Sequence, residues 1–103
     1  MKKLVRDKIP HLIAESGRTC EYHVATEAEL RAALYDKLRE ELEEFIEEPC
    51  VEEAADLYEV LTRIFEFHNL RLLDVMYAAV DKGVAKGGFE LGIILDRYDV
   101  ASR

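Results

Sequence analysis

The chain has 103 residues, half of them apolar and none of them Trp, with 22 Asp and Glu against 14 Lys and Arg, a net charge of −8. That length supports one hydrophobic nucleus and predicts a single domain over residues 1 to 103, while the acidic balance argues against a protein that neutralises the phosphates of a nucleic-acid polymer. The longest runs free of charged side chains, Ile9 to Ala14 and Val75 to Val80, have six residues, where a membrane span needs about 20.

The N-terminal stretch Met1 to Asp7 is basic, but no apolar region of signal-peptide type follows it, so the expected location is cytoplasmic. Two cysteines, Cys20 and Cys50, lack partners at metal-ligand spacing and read as packing residues. Charge is concentrated further along. From Glu27 to Asp56 there are twelve acids against three bases, Arg31, Lys37 and Arg39, a local −9 that leaves the rest of the chain at +1.

Thr26 followed by Glu29 is a capping-box signature, and Leu30, Leu34, Leu38, Leu42 and Phe45 follow at helical spacing, which predicts a helix from about Thr26 to Glu47. Pro49 interrupts it. A second helix is predicted from Cys50 or Val51 to about His68, apolar around most of its circumference, which implies burial against other helices or a second subunit. A third spans about Arg71 to Lys86, with Leu72, Leu73, Met76, Ala79, Val80 and Val84 as its inner face, and Gly87-Gly88 stops it. Phe89, Leu91, Ile93 and Leu95 then alternate, as do Tyr22 and Val24, which allows a short two-stranded β pairing of the N- and C-terminal segments. The fold class expected is all-α, a helical bundle built on an antiparallel acidic helix hairpin.

Helical projection at about 100° per residue sorts the acids by face. On the first long helix Glu41 falls inside the apolar arc and Glu44 at its edge, whereas Glu43 and Glu47 point to solvent. On the second, Glu53 falls between Val60 and Ile64, Asp56 lies at the arc's boundary beside Phe67, and Glu52, Glu59 and Glu66 form a polar stripe. Carboxylates on an apolar face need protonation, a basic partner or a cation, because burial strips their solvation. An antiparallel turn at Pro49 brings Glu44 level with Glu53 and Glu41 level with Asp56, an all-oxygen set that suits a hard ion such as Mg²⁺ or Mn²⁺. Pairing of these acids with Lys37, Arg39 and Arg63 is the structural alternative, and spacing leaves both open.

Glu40-Glu41-Leu42-Glu43-Glu44 followed by Glu53-Ala54-Ala55-Asp56 resembles the EExxE…ExxD pattern of the all-α nucleoside triphosphate pyrophosphatases, the MazG-like superfamily. Leu4 to Pro10 and Lys82 to Ile93 resemble its small house-cleaning branch, related to phosphoribosyl-ATP pyrophosphohydrolase, so the likeness spans nearly the whole chain. It implies Mg²⁺-dependent hydrolysis of a nucleoside triphosphate between its α and β phosphates, giving a monophosphate and pyrophosphate. Glu41, Glu44, Glu53 and Asp56 are the implied metal ligands, Glu40 and Glu41 the implied catalytic carboxylates, with Glu40 orienting water, and Lys82 and Lys86 the implied phosphate ligands. Eight residues separate Glu44 from Glu53, a shorter gap than is usual in the family, and Lys86 stands where Arg is commoner.

The Arg6-Asp7-Lys8 segment fits two roles, supplementing the phosphate site or tying the N-terminal arm to the acidic hairpin; Arg6 is read as the tie and Lys8 as a candidate phosphate ligand. His11, His23 and His68 read as packing or surface residues, and Tyr58 and Tyr77 as core aromatics rather than base-stacking ones. The expected partners are a small nucleotide and a second copy of the chain, as a homodimer or larger homo-oligomer, with neither membrane nor nucleic-acid polymer. A non-catalytic acidic helical dimer, serving as an adaptor or nucleotide-binding module, is the alternative.

Overall fold

In the computed structural model, which describes residues 2 to 99, the elements in chain order are α1 (Ile9–Glu15), α2 (Glu27–Glu47), α3 (Val51–Phe67) and α4 (Leu72–Lys86). They fall into two compact units, one ending at Arg71 and containing α1 to α3, the other beginning at Leu72.

The short α1 lies in what composition marks only as a basic arm. Pro10 sits in its first turn, where a fixed φ and a missing N–H carry no cost. Gly17, at φ 84°, closes the helix by donating to the Ala14 carbonyl at 3.0 Å. In α2 the Thr26 hydroxyl accepts from the Glu29 N–H at 3.3 Å, as the capping box requires. The Glu29 carboxylate does not reach back to the cap; it accepts from His23 Nε2 at 2.8 Å instead. Glu48, Pro49 and Cys50 make the whole connection to α3. Asn69, at φ 59°, then takes the left-handed position after α3 that a short polar side chain tolerates.

Helices α2 and α3 pack on each other as a hairpin. The Tyr35 hydroxyl, in the first half of α2, meets His68 Nε2 just past the end of α3 at 2.6 Å, so the two helices run antiparallel. Their shared core is small: Leu34, Val60 and Ile64 are buried, and Leu4, Leu30, Tyr35, Leu38 and Phe67 pack around them. Leu4 brings the N-terminal arm onto the same core. Broad apolarity along α3 is only partly used, since Val51 and Tyr58 stay exposed.

In the second unit α4 ends where Gly87, at φ 84°, donates to the Gly83 carbonyl at 2.9 Å. Of the face expected to turn inward, Leu72 is half-buried while Leu73, Met76, Val80 and Val84 are exposed, and α4 is the only helix of its unit among the described residues. Tyr77 is exposed as well.

The expected β pairing is not formed: no strand occurs among the described residues. Alternation makes a strand only where a partner supplies the ladder bonds and a surface covers one face. The C-terminal segment instead turns at Phe89 to Gly92, where the Gly92 N–H reaches the Phe89 carbonyl at 3.2 Å. Phe89, Leu91, Ile93, Leu95, Tyr22 and Val24 are all exposed.

Candidate metal centre

Five carboxylates project from the hairpin near its closed end. On α2, Glu44 neighbours Glu40 at i, i+4 and Glu41 at i, i+3; on α3, Glu53 and Asp56 stand one turn apart. Glu41, Glu53 and Asp56 each offer an oxygen, and these three oxygens all lie within 4.8 Å of one another across the two helices. Glu40, Glu41 and Glu44 form a second group of the same tightness along α2. Glu41 is common to both. Glu44, at the edge of the apolar arc, is exposed and does not belong to the group that holds Glu53 and Asp56.

Glu41 is the centre of the arrangement. The residue is 5% exposed, deep in the helix interface, and its Oε2 has no hydrogen-bond partner. Oε2 of the half-buried Glu53 is in the same condition. Burial holds the Glu41 carboxyl above the ordinary glutamate range, against the pull of Lys37, and the neighbouring Glu44 and Asp56 charges push the same way. A carboxylate oxygen that is buried, ionisable and unpaired costs folding free energy unless a ligand satisfies it. Three converging carboxylates, two of them with an orphaned oxygen, fit a hard divalent cation with oxygen preference rather than zinc, which favours nitrogen and sulfur.

Three basic side chains reach the site, Lys3 the least closely, at 3.8 Å from Glu40 Oε2. Lys37 Nζ donates to Glu40 Oε2 at 2.9 Å and stands 3.3 Å from Glu41 Oε1. Burial disfavours its charge, but the hydrogen bonds to both acids outweigh that and raise its pKa. The same contact with Lys37 lowers the pKa of Glu40, keeping it ionised. Arg6 Nη2 donates to Asp56 Oδ1 at 2.7 Å, so Arg6 does tie the arm to the acidic hairpin, and it does so on one of the candidate ligands. Arg39 and Arg63 serve elsewhere, on Asp36 and on Glu59 and Glu66.

Beside the cluster lies an open groove of about 840 Å³. The arm contributes Leu4, Arg6 and Ile9 to its lining, and the hairpin contributes Glu41, Asp56, Leu30 and Phe67 among others. The groove could not be read from the sequence, because it depends on how the arm lies on the hairpin.

The remaining candidates lie outside this cluster. Lys8 is the exposed N-cap residue of α1 and does not line the groove. Lys82 and Lys86 are both exposed on α4 of the second unit, four residues apart. Cys20 is exposed, and Cys50 is the half-buried N-cap residue of α3; both are free thiols. Among the described residues no helix is long and apolar enough to cross a membrane. Compared with protein families, curated proteins and solved structures, the chain finds no match in any of the three.

Proposed function

We propose that this chain is a Mg²⁺-dependent nucleoside triphosphate pyrophosphohydrolase of the MazG-like kind, with Mn²⁺ as an alternative ion. The observation that carries the reading is the buried Glu41, whose unpartnered Oε2 sits among carboxylates converging from two helices. Glu41, Glu53 and Asp56 would hold the ion, with Glu44 completing the set from the exposed side. When bound, Mg²⁺ supplies charge neutralisation for the phosphates and lowers the pKa of a bound water.

The protein's own groups have separate tasks. Glu40, kept ionised by Lys37, accepts a hydrogen bond from the attacking water and orients it. Lys37 also balances part of the negative charge that would otherwise repel a triphosphate. Lys82, Lys86 and Lys8 are the proposed phosphate ligands, each a point charge on a flexible stem rather than a bidentate fork. Water cleaves the bond between the α and β phosphates, leaving a nucleoside monophosphate and pyrophosphate. The test is pyrophosphate release from a panel of standard, deoxy and base-modified triphosphates, with Mg²⁺ and with chelator. Metal-dependent release from at least one is expected; no release from any overturns the enzyme reading.

A second copy of the chain is the proposed protein partner. Leu42, Ile46, Val51 and Tyr58 leave apolar surface exposed on the hairpin itself, and a core of three buried apolar residues is small for a chain of this length. The non-catalytic alternative draws on the ion pairs of Lys37 and Arg6, which already offset part of the cluster. It requires that Mg²⁺ leave the melting temperature unchanged, and that Glu41→Gln with Glu53→Gln stabilise the fold.

A further inference from the structure

Asp56 is claimed twice, by the candidate ion and by Arg6, and a conflict between the two claims rests on the cation centre proposed for this hairpin. The Arg6 guanidinium donates to Asp56 Oδ1 at 2.7 Å, with both side chains open to solvent on one side. Asp56, Glu59 and Glu41 all act on its charge. On the same arm Lys3 reaches only Glu40 on α2, at 3.8 Å, so Arg6 is the arm's ionic anchor to α3 among the described residues.

We propose that Arg6 and a divalent cation compete for Asp56: the guanidinium holds this carboxylate while the cation is absent, and cation binding releases Arg6 and the anchor of the N-terminal arm with it. Glu41, Glu53 and Asp56 present their oxygens within 4.8 Å of one another, so an ion held by them stands at ion-pair range from a group hydrogen-bonded to Asp56. Like charges at that separation repel, and a guanidinium cannot shed its proton to relieve the repulsion. Lys37 is in a different position. It contacts Oε1 of Glu41 and leaves the orphaned Oε2 free, so it offsets the cluster's charge without occupying that donor. Arg6 is therefore a positioning residue, and the arm wall of the groove is coupled to the ion through it.

The opposite arrangement would keep Arg6 on Oδ1 while Asp56 ligates through its other oxygen. Arg6 would then orient the ligand, and its loss would weaken binding. Calorimetric titration of the full chain with Mn²⁺ alone separates the two. Arg6→Gln is expected to bind Mn²⁺ about tenfold more tightly than the wild type, the scale of removing one like charge at short range. Arg63→Gln, which removes a groove cation bonded to Glu59 and Glu66 instead, is expected to change affinity by less than about threefold. In the wild-type chain Mn²⁺ should accelerate exchange of the Ile9 amide, which donates to the Arg6 carbonyl at 3.0 Å, a readout that needs no variant to fold. Unchanged or weaker binding by Arg6→Gln, an equal gain in Arg63→Gln, or an arm whose exchange ignores Mn²⁺ overturns the competition and leaves the cation centre standing. Absence of Mn²⁺ binding in all three chains overturns the centre and the competition together.

Discussion

Glu53 and Glu41 illustrate how differently two acids of one hairpin can be placed. Both carry an unpartnered buried oxygen, but Lys37 reaches Glu41 while no ion pair reaches Glu53 among the described residues. Glu53→Gln keeps the shape and removes the charge, so it should abolish metal-dependent pyrophosphate release while circular dichroism and the chelator-treated melting curve stay within about 1 kcal/mol of wild type. An unchanged rate would remove Glu53 from the ligand set. Glu29 gives a pH signature away from the cluster. The hydrogen bond from His23 lowers its pKa, so the stability it contributes is fully present above the ordinary glutamate range and is lost as pH falls through the lower folded value. In Glu29→Gln, amide protection at the start of α2 should no longer decline over that acid range, whereas in the wild type it should.

Helix ends are the most legible elements, because their signals are local. Thr26 marks the start of α2, and its hydroxyl caps the Glu29 N–H. Thr26→Ala should therefore cost about 1 kcal/mol in urea unfolding; Thr26→Ser should recover most of it. Pro49 and Gly87 mark the breaks after α2 and α4 for equally local reasons, a missing N–H and a left-handed φ. The helix α1 escapes a sequence reading because its seven residues are too few to show a period, and Pro10 reads as a breaker until it is seen in a first turn. Alternation after Gly88 misleads for the complementary reason. A period of two is necessary for a half-buried strand, but the ladder needs a partner that a local pattern cannot supply.

At the scale of the whole molecule, only three apolar residues are buried among those described, while the hairpin, α4 and the C-terminal segment all keep large apolar side chains exposed. Sedimentation of the full chain should therefore find a dimer or larger assembly at micromolar concentration, with Leu42→Glu and Ile46→Glu together shifting it toward the monomer. On the proposed reading, saturating Mg²⁺ at about 100 times its Kd should stabilise the chain by roughly 2.7 kcal/mol in thermal melting, since the folded cluster would hold the ion and the dispersed acids of the unfolded chain would not. Helical period and caps act over a few residues, so amino-acid order alone dictates the helices from α2 onward, the hairpin at Pro49 and the inward direction of Glu41, Glu53 and Asp56. Glu44's exposure and the groove under the arm arise only once the chain is packed. So does the pairing of Arg6 with Asp56, fifty residues away. A long-range ion pair depends on where two backbones come to lie, and charge patterning along the chain holds no record of that distance.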